Sequence, residues 1–508
     1  MSGDRIIPRF IPGARGRHNG STFPPTPHRP TRPADGESRP AAALHDPPPR
    51  VDYATVRLLR DRVSADLSLQ LHGVSATAEE RQLLGEQAAA RQVRDWVDDQ
   101  RRAGNPLPAS YEEELTDAVV AELLGLGRLQ LLLADPQVAE VHILGHDRVR
   151  VEYTDGAVVD GQPVADSDEE LLEVLQTLAR RAGSERSFSA ANPHISMELP
   201  DQHRSRLTAV AWVTPRPHAA IRRHRVLDAD LDRLVGLDMV SQPVADLLAA
   251  AMAADLNVMV AGLGGAGKTT LARALAAEIP ASEPVVVMED RRELGLHTTG
   301  RHRWAMSMET RQGHGERDAA GRPRGEVTLA DLIPVSLSLG VLRIIVGEVR
   351  GREIVAMLQA MTTSRGSICT IHARNPGSVI DRCVELALTH GEQMTAELAQ
   401  RMVAGALDLI VYVDVVDQTP TGGRKHRFLS HVVEVVGAGD RGQVVTTELF
   451  GPGPDGRAVP RHHPERIRDQ LLRAGYDSRH LAGLITAGDG GWRRTLAAHR
   501  PGGSRRWG

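Results

Sequence analysis

The chain has 508 residues, 41% of them hydrophobic, which gives it room for about three domains and for sizeable cores. Its formal net charge of -4 provides no global attraction to nucleic acid, and 3% aromatics leave few platforms on which single-stranded bases could stack. Its two cysteines, Cys369 and Cys383, fit a reducing compartment, with neither a disulfide framework nor a metal-finger spacing.

The first fifty residues carry eleven prolines and eight arginines among scattered Gly, Ser and Thr. That composition cannot bury enough apolar surface to offset chain entropy, so residues 1–50 are expected to be a disordered Pro/Arg-rich arm. Apolar positions three and four apart, from Val51 to Leu59 and again from Leu83 to Val97, predict a helical segment over 51–124. Near Gly125 the period changes. Val138, Val141, Ile143, Val149 and Val151 read as short strands around Gly145-His146-Asp147. Glu169 to Arg181 reads as an amphipathic helix, and Arg206-Leu207-Thr208-Ala209-Val210 as a further strand. Residues 125–226 are therefore expected to form a small α+β domain, followed by a polar linker at 227–240 bearing Asp228, Asp230 and Asp232.

The domain expected at 241–450 is organised around one stretch. Asn257-Val258-Met259-Val260-Ala261 leads into Gly262-Leu263-Gly264-Gly265-Ala266-Gly267-Lys268-Thr269-Thr270 and then into Leu271-Ala272-Arg273-Ala274. This is strand, Gly-rich turn, helix, with the G-x-x-x-x-G-K-[ST] spacing of a P-loop. The glycines let successive backbone N–H groups turn inward around phosphates, and the following helix presents its positive end to them. Lys268 would reach the β- and γ-phosphates of ATP, and the Thr269 hydroxyl would ligate Mg2+. The chain contains only two lysines, Lys268 and Lys425, so arginine supplies nearly all of its positive charge. An ammonium is a compact, rotating point charge and a guanidinium a broad fork, so a lysine kept at this place reads as chemistry.

Three later apolar runs read as buried strands that end in reactive groups: Pro284 to Asp290 with Glu289, Arg343 to Glu348, and Ser367 to His372. Leu409 to Val413 reads as a fourth strand, and residues 428–450 as a hairpin. Strands alternating with helices imply a parallel sheet covered on both faces, with its ligand beyond the carboxyl ends of the strands. Phosphoryl transfer needs a carboxylate to order or deprotonate the attacking water, and cations on the developing charge. Glu348 and Glu289 are the acids on offer, and His372 reads as a γ-phosphate sensor. The competing structural readings are strand-end carboxylates that cap a neighbouring helix, and a satisfied core histidine. Residues 451–508, rich in Gly, Pro and Arg, are expected to be a polar basic tail containing a helix from Pro464 to Ala474. There is no apolar h-region at the N-terminus and no uncharged apolar run of about 18 residues, so the protein is expected to be cytoplasmic, soluble or peripheral to a membrane.

Val287-Met288-Glu289-Asp290 with Glu293-Leu294, Glu309-Thr310-Arg311, Gly325 to Leu332, Arg343 to Gly351, Leu358-Gln359-Ala360-Met361 and Thr370-Ile371-His372-Ala373 form one ordered series. From about Gly125 to Phe450 the chain resembles the type II/type IV secretion ATPase family, and within it the CpaF/TadA-like branch that powers Flp-type tight-adherence pili. The resemblance implies an α/β fold, with a RecA-like P-loop NTPase domain preceded by an α+β N-terminal domain and a helical N-terminal segment. It further implies a homo-hexameric ring with nucleotide between the two domains. Gly262, Gly264, Gly265, Ala266, Gly267, Lys268, Thr269 and Thr270 become the nucleotide contacts of a Walker A motif. Glu289 falls in the Asp box, Glu348 is the Walker B glutamate that holds Mg2+ indirectly, and His372 falls in the His box. Arg206 and Arg222 are similar to N-terminal-domain arginines that reach the phosphates. Arg223 is an equal candidate, because adjacent arginines are not ranked by sequence, and Arg311 is another. The implied activity is Mg2+-dependent ATP hydrolysis that drives pilin assembly or protein export through an inner-membrane platform protein, at the inner face of the cytoplasmic membrane and without direct nucleic-acid binding.

The alternatives are a nucleic-acid-translocating, conjugation-type ATPase and a weakly catalytic nucleotide-binding ring component. Two departures from the family pattern motivate the second. Val341-Leu342 stand where Pro-Asp is usual, and Thr363-Ser364-Arg365-Gly366 is one residue short and lacks a Gly-His pair. Both point toward slow hydrolysis.

Overall fold

The structure, a computed structural model, describes residues 51–70, 77–105, 107–108, 110–154, 156–181, 188–199, 201, 205–223, 229–311, 313–317, 319, 321–418 and 425–493. Residues from Tyr53 onward belong to one unit. The helical periodicity of 51–124 appears as α1 (Tyr53–Gln70), α2 (Ala78–Arg102) and α3 (Tyr111–Leu124). A capping box opens α2: the Thr77 hydroxyl accepts from the Glu80 N–H while the Glu80 carboxylate accepts from the Thr77 N–H. The leucine run that follows Gly127 forms a short helix, α4 (Arg128–Ala134).

The α+β domain contains β1 (Val138–Leu144), β2 (Arg148–Tyr153), β3 (Val158–Gly161), α5 (Asp168–Arg181), β4 (His194–Glu198), β5 (Arg206–Val210) and β6 (His218–Arg222). Among the described residues these strands form an antiparallel sheet of order β3-β2-β1-β6-β5-β4. Leu171, Leu175 and Leu178 of α5, at helical spacing, share a core with Val141, Leu207 and Ile221 from alternate positions of the strands. The opposite face of the sheet carries Arg206 directly across from Arg222.

The P-loop domain follows as α6 (Leu231–Gly236), α7 (Gln242–Ala253), β7 (Val258–Gly262), α8 (Lys268–Ala277), β8 (Val285–Glu289), β9 (Ala305–Glu309), β10 (His314–Arg317), β11 (Pro323–Arg324), α9 (Leu329–Ser338), β12 (Arg343–Val349), α10 (Glu353–Thr363), β13 (Ile368–His372), α11 (Val379–Leu388), α12 (Ala396–Ala406), β14 (Leu409–Asp417), β15 (Lys425–Ala438), β16 (Val444–Pro452), β17 (Ala458–Pro460), α13 (Arg468–Arg473) and α14 (Leu481–Ala487). Its main sheet runs β17-β16-β15-β14-β7-β13-β12-β8-β9. From β14 to β9 the pairing is parallel, and β15 to β17 add on antiparallel. One strand, β13, separates the P-loop strand β7 from β12, the order of a RecA-like domain.

The strands read as unbroken apolar runs because both faces are covered. Val258 and Val260 enter the core under α6, α7 and α8, while Met259 and Ala261 enter the core under α9 to α12. Val285 and Val287 against Val286 and Met288 repeat the alternation. Below β7, the buried Asn257 amide donates to the Met361 and Ala406 carbonyls at 2.9 Å and accepts from the Ser367 N–H at 2.9 Å. Asn257 thereby locks the amino ends of β7 and β13 together.

Two segments differ from their sequence reading. The polar linker at 227–240 contains α6, whose Leu231, Leu234 and Val235 join Met239 and Val240 in the P-loop domain core. The alternation of Asp and apolar residues concealed that helix, which Asp230 caps by accepting from the Arg233 N–H. The tail at 451–508 is packed as far as Trp492: Ala458, Ile467, Leu471, Tyr476 and Leu481 are buried against the sheet's first face. Its helix α13 is shorter than the expected Pro464–Ala474 span. The expected disordered arm at 1–50 and the arginine-rich residues 494–508 lie outside the described residues.

Candidate nucleotide site

The turn after β7 depends on its glycines. Gly267 has φ +103°, and a Cβ there would stand 2.9 Å from the Met239 methyl; Gly265 has φ +73°. At Gly262 a Cβ would stand 2.3 Å from the Val413 carbonyl oxygen on β14. Only 7% of Lys268 is exposed. Its ammonium donates to the Gly262 and Leu263 carbonyls at 3.2 and 3.1 Å and lies 3.0 Å from His372 Nδ1. Burial draws its pKa down to about 8, with the Glu348 carboxylate working in the other direction. Thr269 and Thr270 continue the first turn of α8.

His372 ends β13, between the P-loop and β12. Its Nε2 lies 2.9 Å from Glu348 Oε1. Burial, followed by the Lys268 charge, holds the imidazole pKa below its ordinary value. A neutral ring can accept from Lys268 at Nδ1, whereas the Nε2 approach to Glu348 is not aligned as a hydrogen bond and leaves the buried Oε1 without a hydrogen-bond partner among the described residues. Glu348 Oε2 accepts from Arg350 at 2.7 Å. Burial works to raise the Glu348 pKa, but Arg350, His372 and Lys268 together hold it below the usual carboxylate value. Lys268, His372, Glu348 and Arg350 thus form a row of polar side chains along the carboxyl edge of the sheet. An open pocket of about 420 Å³ adjoins it, lined by Glu348, Val349, Arg350, His372 and Arg382.

Glu289 ends the next strand, β8, and is 3% exposed. Its Oε1 accepts from the Glu293 and Leu294 N–H groups, each at 3.0 Å, while Oε2 is buried without a hydrogen-bond partner among the described residues. Burial pushes its pKa up to about 7, against the pull of those two N–H groups. Arg273 of α8 braces the same loop, donating to the Leu294 carbonyl at 2.8 Å and to the Glu293 carbonyl.

The candidate arginines separate. Arg206 pairs with Glu293, so the α+β domain touches the loop that holds Glu289. Arg222 is exposed on the same sheet face as Arg206, and its charge helps lower the Lys268 pKa. Arg223, offered as its equal, turns the other way, because adjacent strand residues point to opposite faces. It is 6% exposed and donates to the Asp135 carbonyl inside the α+β domain. Arg311 sits on the exposed loop beyond β9 and donates to the Gly325 carbonyl at 2.7 Å. Sequence reasoning missed two further cations. Arg350 had a signal, since it stands two residues after Glu348 at the end of β12 and so shares its side. Arg427, whose Nε donates to the Gly265 carbonyl at 2.8 Å, had none, because β15 is more than 150 residues downstream of the P-loop.

Residues 133–442, more than half of the chain, match the family described as type II/IV secretion system protein. The chain belongs to that family. A putative conjugal transfer protein of Mycobacterium tuberculosis strain H37Rv is 32% identical to this secretion ATPase over 306 residues, covering 58% of this chain and 81% of that protein. Conjugal transfer protein TrbB of Rhizobium radiobacter is 27% identical over 311 residues, covering 60% of this chain and 87% of that one. Among solved structures, the VirB11 ATPase of the Brucella suis type IV secretion system is 24% identical over 60% of this chain and 91% of its own, with a TM-score of 0.31.

The two departures of this secretion ATPase from its family pattern have a definite place. Val341-Leu342 precede the first residue of β12, and 363–366 join α10 to β13, so both stand at the amino ends of the strands. Glu348 is near the other end of the seven-residue β12, roughly 20 Å away at about 3.3 Å per residue. Beside these departures, the buried Arg343 pairs with Glu283 at 2.8 Å and Asp255 at 2.5 Å, and Arg365 also pairs with Asp255, at 3.2 Å.

Proposed function

We propose that this secretion ATPase hydrolyses ATP with Mg2+, as a homo-hexameric ring peripheral to the inner face of the cytoplasmic membrane. Domain motion in the ring would drive pilin assembly or protein export through an inner-membrane platform protein. The observation that carries the reading is the row of polar side chains Lys268, His372, Glu348 and Arg350 along the carboxyl edge, beside a loop whose Gly262 leaves no room for a side chain. Lys268 neutralises the β/γ-phosphates, Glu348 orients or deprotonates the attacking water, and His372 carries the presence of the γ-phosphate from Lys268 to Glu348. Arg206 and Arg222 close on the phosphates from the α+β domain.

Mg2+ suits these residues. It keeps several waters and substrate oxygens and needs no protein cage, so the absence of a group of three or more metal-binding side chains among the described residues agrees with this mode. The Thr269 hydroxyl would hold the ion directly and Glu348 through water, with the unpartnered Glu289 Oε2 in the same row of strand ends. Bound there, Mg2+ would offset phosphate charge. No helix among the described residues is long and apolar enough to cross a membrane.

Lys268→Ala is expected to abolish ATP turnover, measured as phosphate release; turnover at the wild-type rate would sink the reading. A second reading, a motor within a conjugal transfer apparatus, is favoured by the printed names of the M. tuberculosis and R. radiobacter relatives. Stimulation of hydrolysis by single-stranded DNA, but not by lipid vesicles or platform-protein domains, would select it.

A further inference from the structure

Arg427 lies outside every motif that marks this site, yet its side chain reaches the phosphate loop. The sheet order places β15 beyond β14, so Arg427 comes from the side of the loop opposite His372 and Glu348. Its Nε donates to the carbonyl of Gly265, at the exposed tip of the turn, and its Cδ lies 3.8 Å from where a Cβ of Gly267 would stand. A guanidinium has further N–H groups in the same plane. Those of Arg427 have no hydrogen-bond partner and no carboxylate within salt-bridge distance among the described residues.

The surroundings make this a concentration of positive charge. Arg222, from the α+β domain, is close enough to act on both Lys268 and Arg427. The acids in range of Arg427 are Glu152 and Asp417, and both are engaged by Lys425, at 2.6 and 3.8 Å. Partial burial of the Arg427 guanidinium and the Arg222 charge prevail over them and lower its pKa. Three cations converging on one glycine loop, with the nearby acids already paired, fit a polyanion.

We propose that Arg427 is a nucleotide-binding residue: its Nε holds the tip of the phosphate loop through Gly265, and its terminal N–H groups, beside Arg222, receive the phosphate chain of the nucleotide. The assignment rests on the ATP-site reading above. A bracing role alone would need only the Nε bond; phosphate recognition also needs the charge.

The test uses the full-length protein, with fluorescent ATP and ADP analogues for affinity and phosphate release for kcat and KM. Binding by the wild-type protein checks the underlying reading first, and if the wild type binds neither analogue, both the reading and this assignment fall. Given binding, Arg427→Gln keeps a donor for Gly265 without the charge, and Arg427→Lys keeps the charge. A charge-assisted phosphate contact predicts a loss of about tenfold or more in ATP affinity for the Gln variant, expressed in KM rather than kcat. The Lys variant should regain a large part of that loss, and thermal unfolding of both should stay near that of the wild type. Wild-type affinity in the Gln variant would overturn the proposal, as would equal losses in Gln and Lys.

Discussion

Glu289 is the residue at which burial and chemistry conflict most. A carboxyl whose pKa is raised to about 7 in the folded protein, from 4.5, holds its proton after the unfolded chain has released it. Below pH 4.5 both states are protonated and the group has no effect. Above that value the folded state is increasingly penalised, until the penalty is complete above pH 7, where it amounts to about 3 kcal/mol. Glu289→Gln removes the titration while its amide oxygen can still accept from Glu293 and Leu294. Its stability relative to wild type is therefore expected to rise between pH 5 and pH 8, measured by urea unfolding at each pH. A difference that does not change with pH would mean that Glu289 titrates as an ordinary carboxyl. At this scale, Lys268 was legible from the P-loop spacing, and Glu289, Glu348 and His372 because each stands at the end of an apolar run. The choice between Arg222 and Arg223 was not, because it depends on which face of β6 is turned toward the P-loop domain.

Among the elements, β12 and β13 decide what the two family departures mean. Read in sequence, Val341-Leu342 and the short 363–366 segment pointed toward slow hydrolysis. In the fold they sit at the foot of strands whose opposite ends carry Glu348 and His372, where Arg343, Asp255, Glu283 and Arg365 form an ion-pair network. Leu342 is 45% exposed, so Leu342→Asp, which restores one usual residue, should be tolerated. Its ATPase rate is expected to stay within about twofold of wild type, since surface changes away from special features are nearly neutral. A large rise in kcat would return these positions to the mechanism. The same network predicts that Arg343→Met, which leaves the part-exposed Glu283 without its cation and Asp255 with Arg365 alone, costs about 1–3 kcal/mol in denaturant unfolding. The short helix α6 and the packed segment 451–493 were not legible, because their few apolar residues are buried by contacts with distant strands rather than by a local period.

For the whole molecule, the two domains meet through a few charged contacts: Arg206 with Glu293, and Lys425 with Glu152. The first pair ties the α+β sheet to the loop whose N–H groups hold Glu289. Each side chain of that pair is 31% exposed, so as an ion pair it contributes only about 0.2–1 kcal/mol to stability. Its expected importance is positional. Arg206→Ala, Glu293→Ala and the double variant should unfold within about 1 kcal/mol of wild type, while each single variant loses about tenfold or more in kcat/KM and the double variant loses little beyond that. Losses that simply multiply would mean the two residues act independently.

The sequence by itself determined the P-loop, the alternating strands and helices, and the carboxylates and histidine at the strand ends, because those features are local and periodic. Only the tertiary structure decided which cations gather at the loop. Arg222 and Arg427 arrive beside Lys268 from β6 and β15, while Arg206 of β5 pairs with Glu293, and this sorting follows from sheet order and strand face. Neither is encoded within any single stretch of chain.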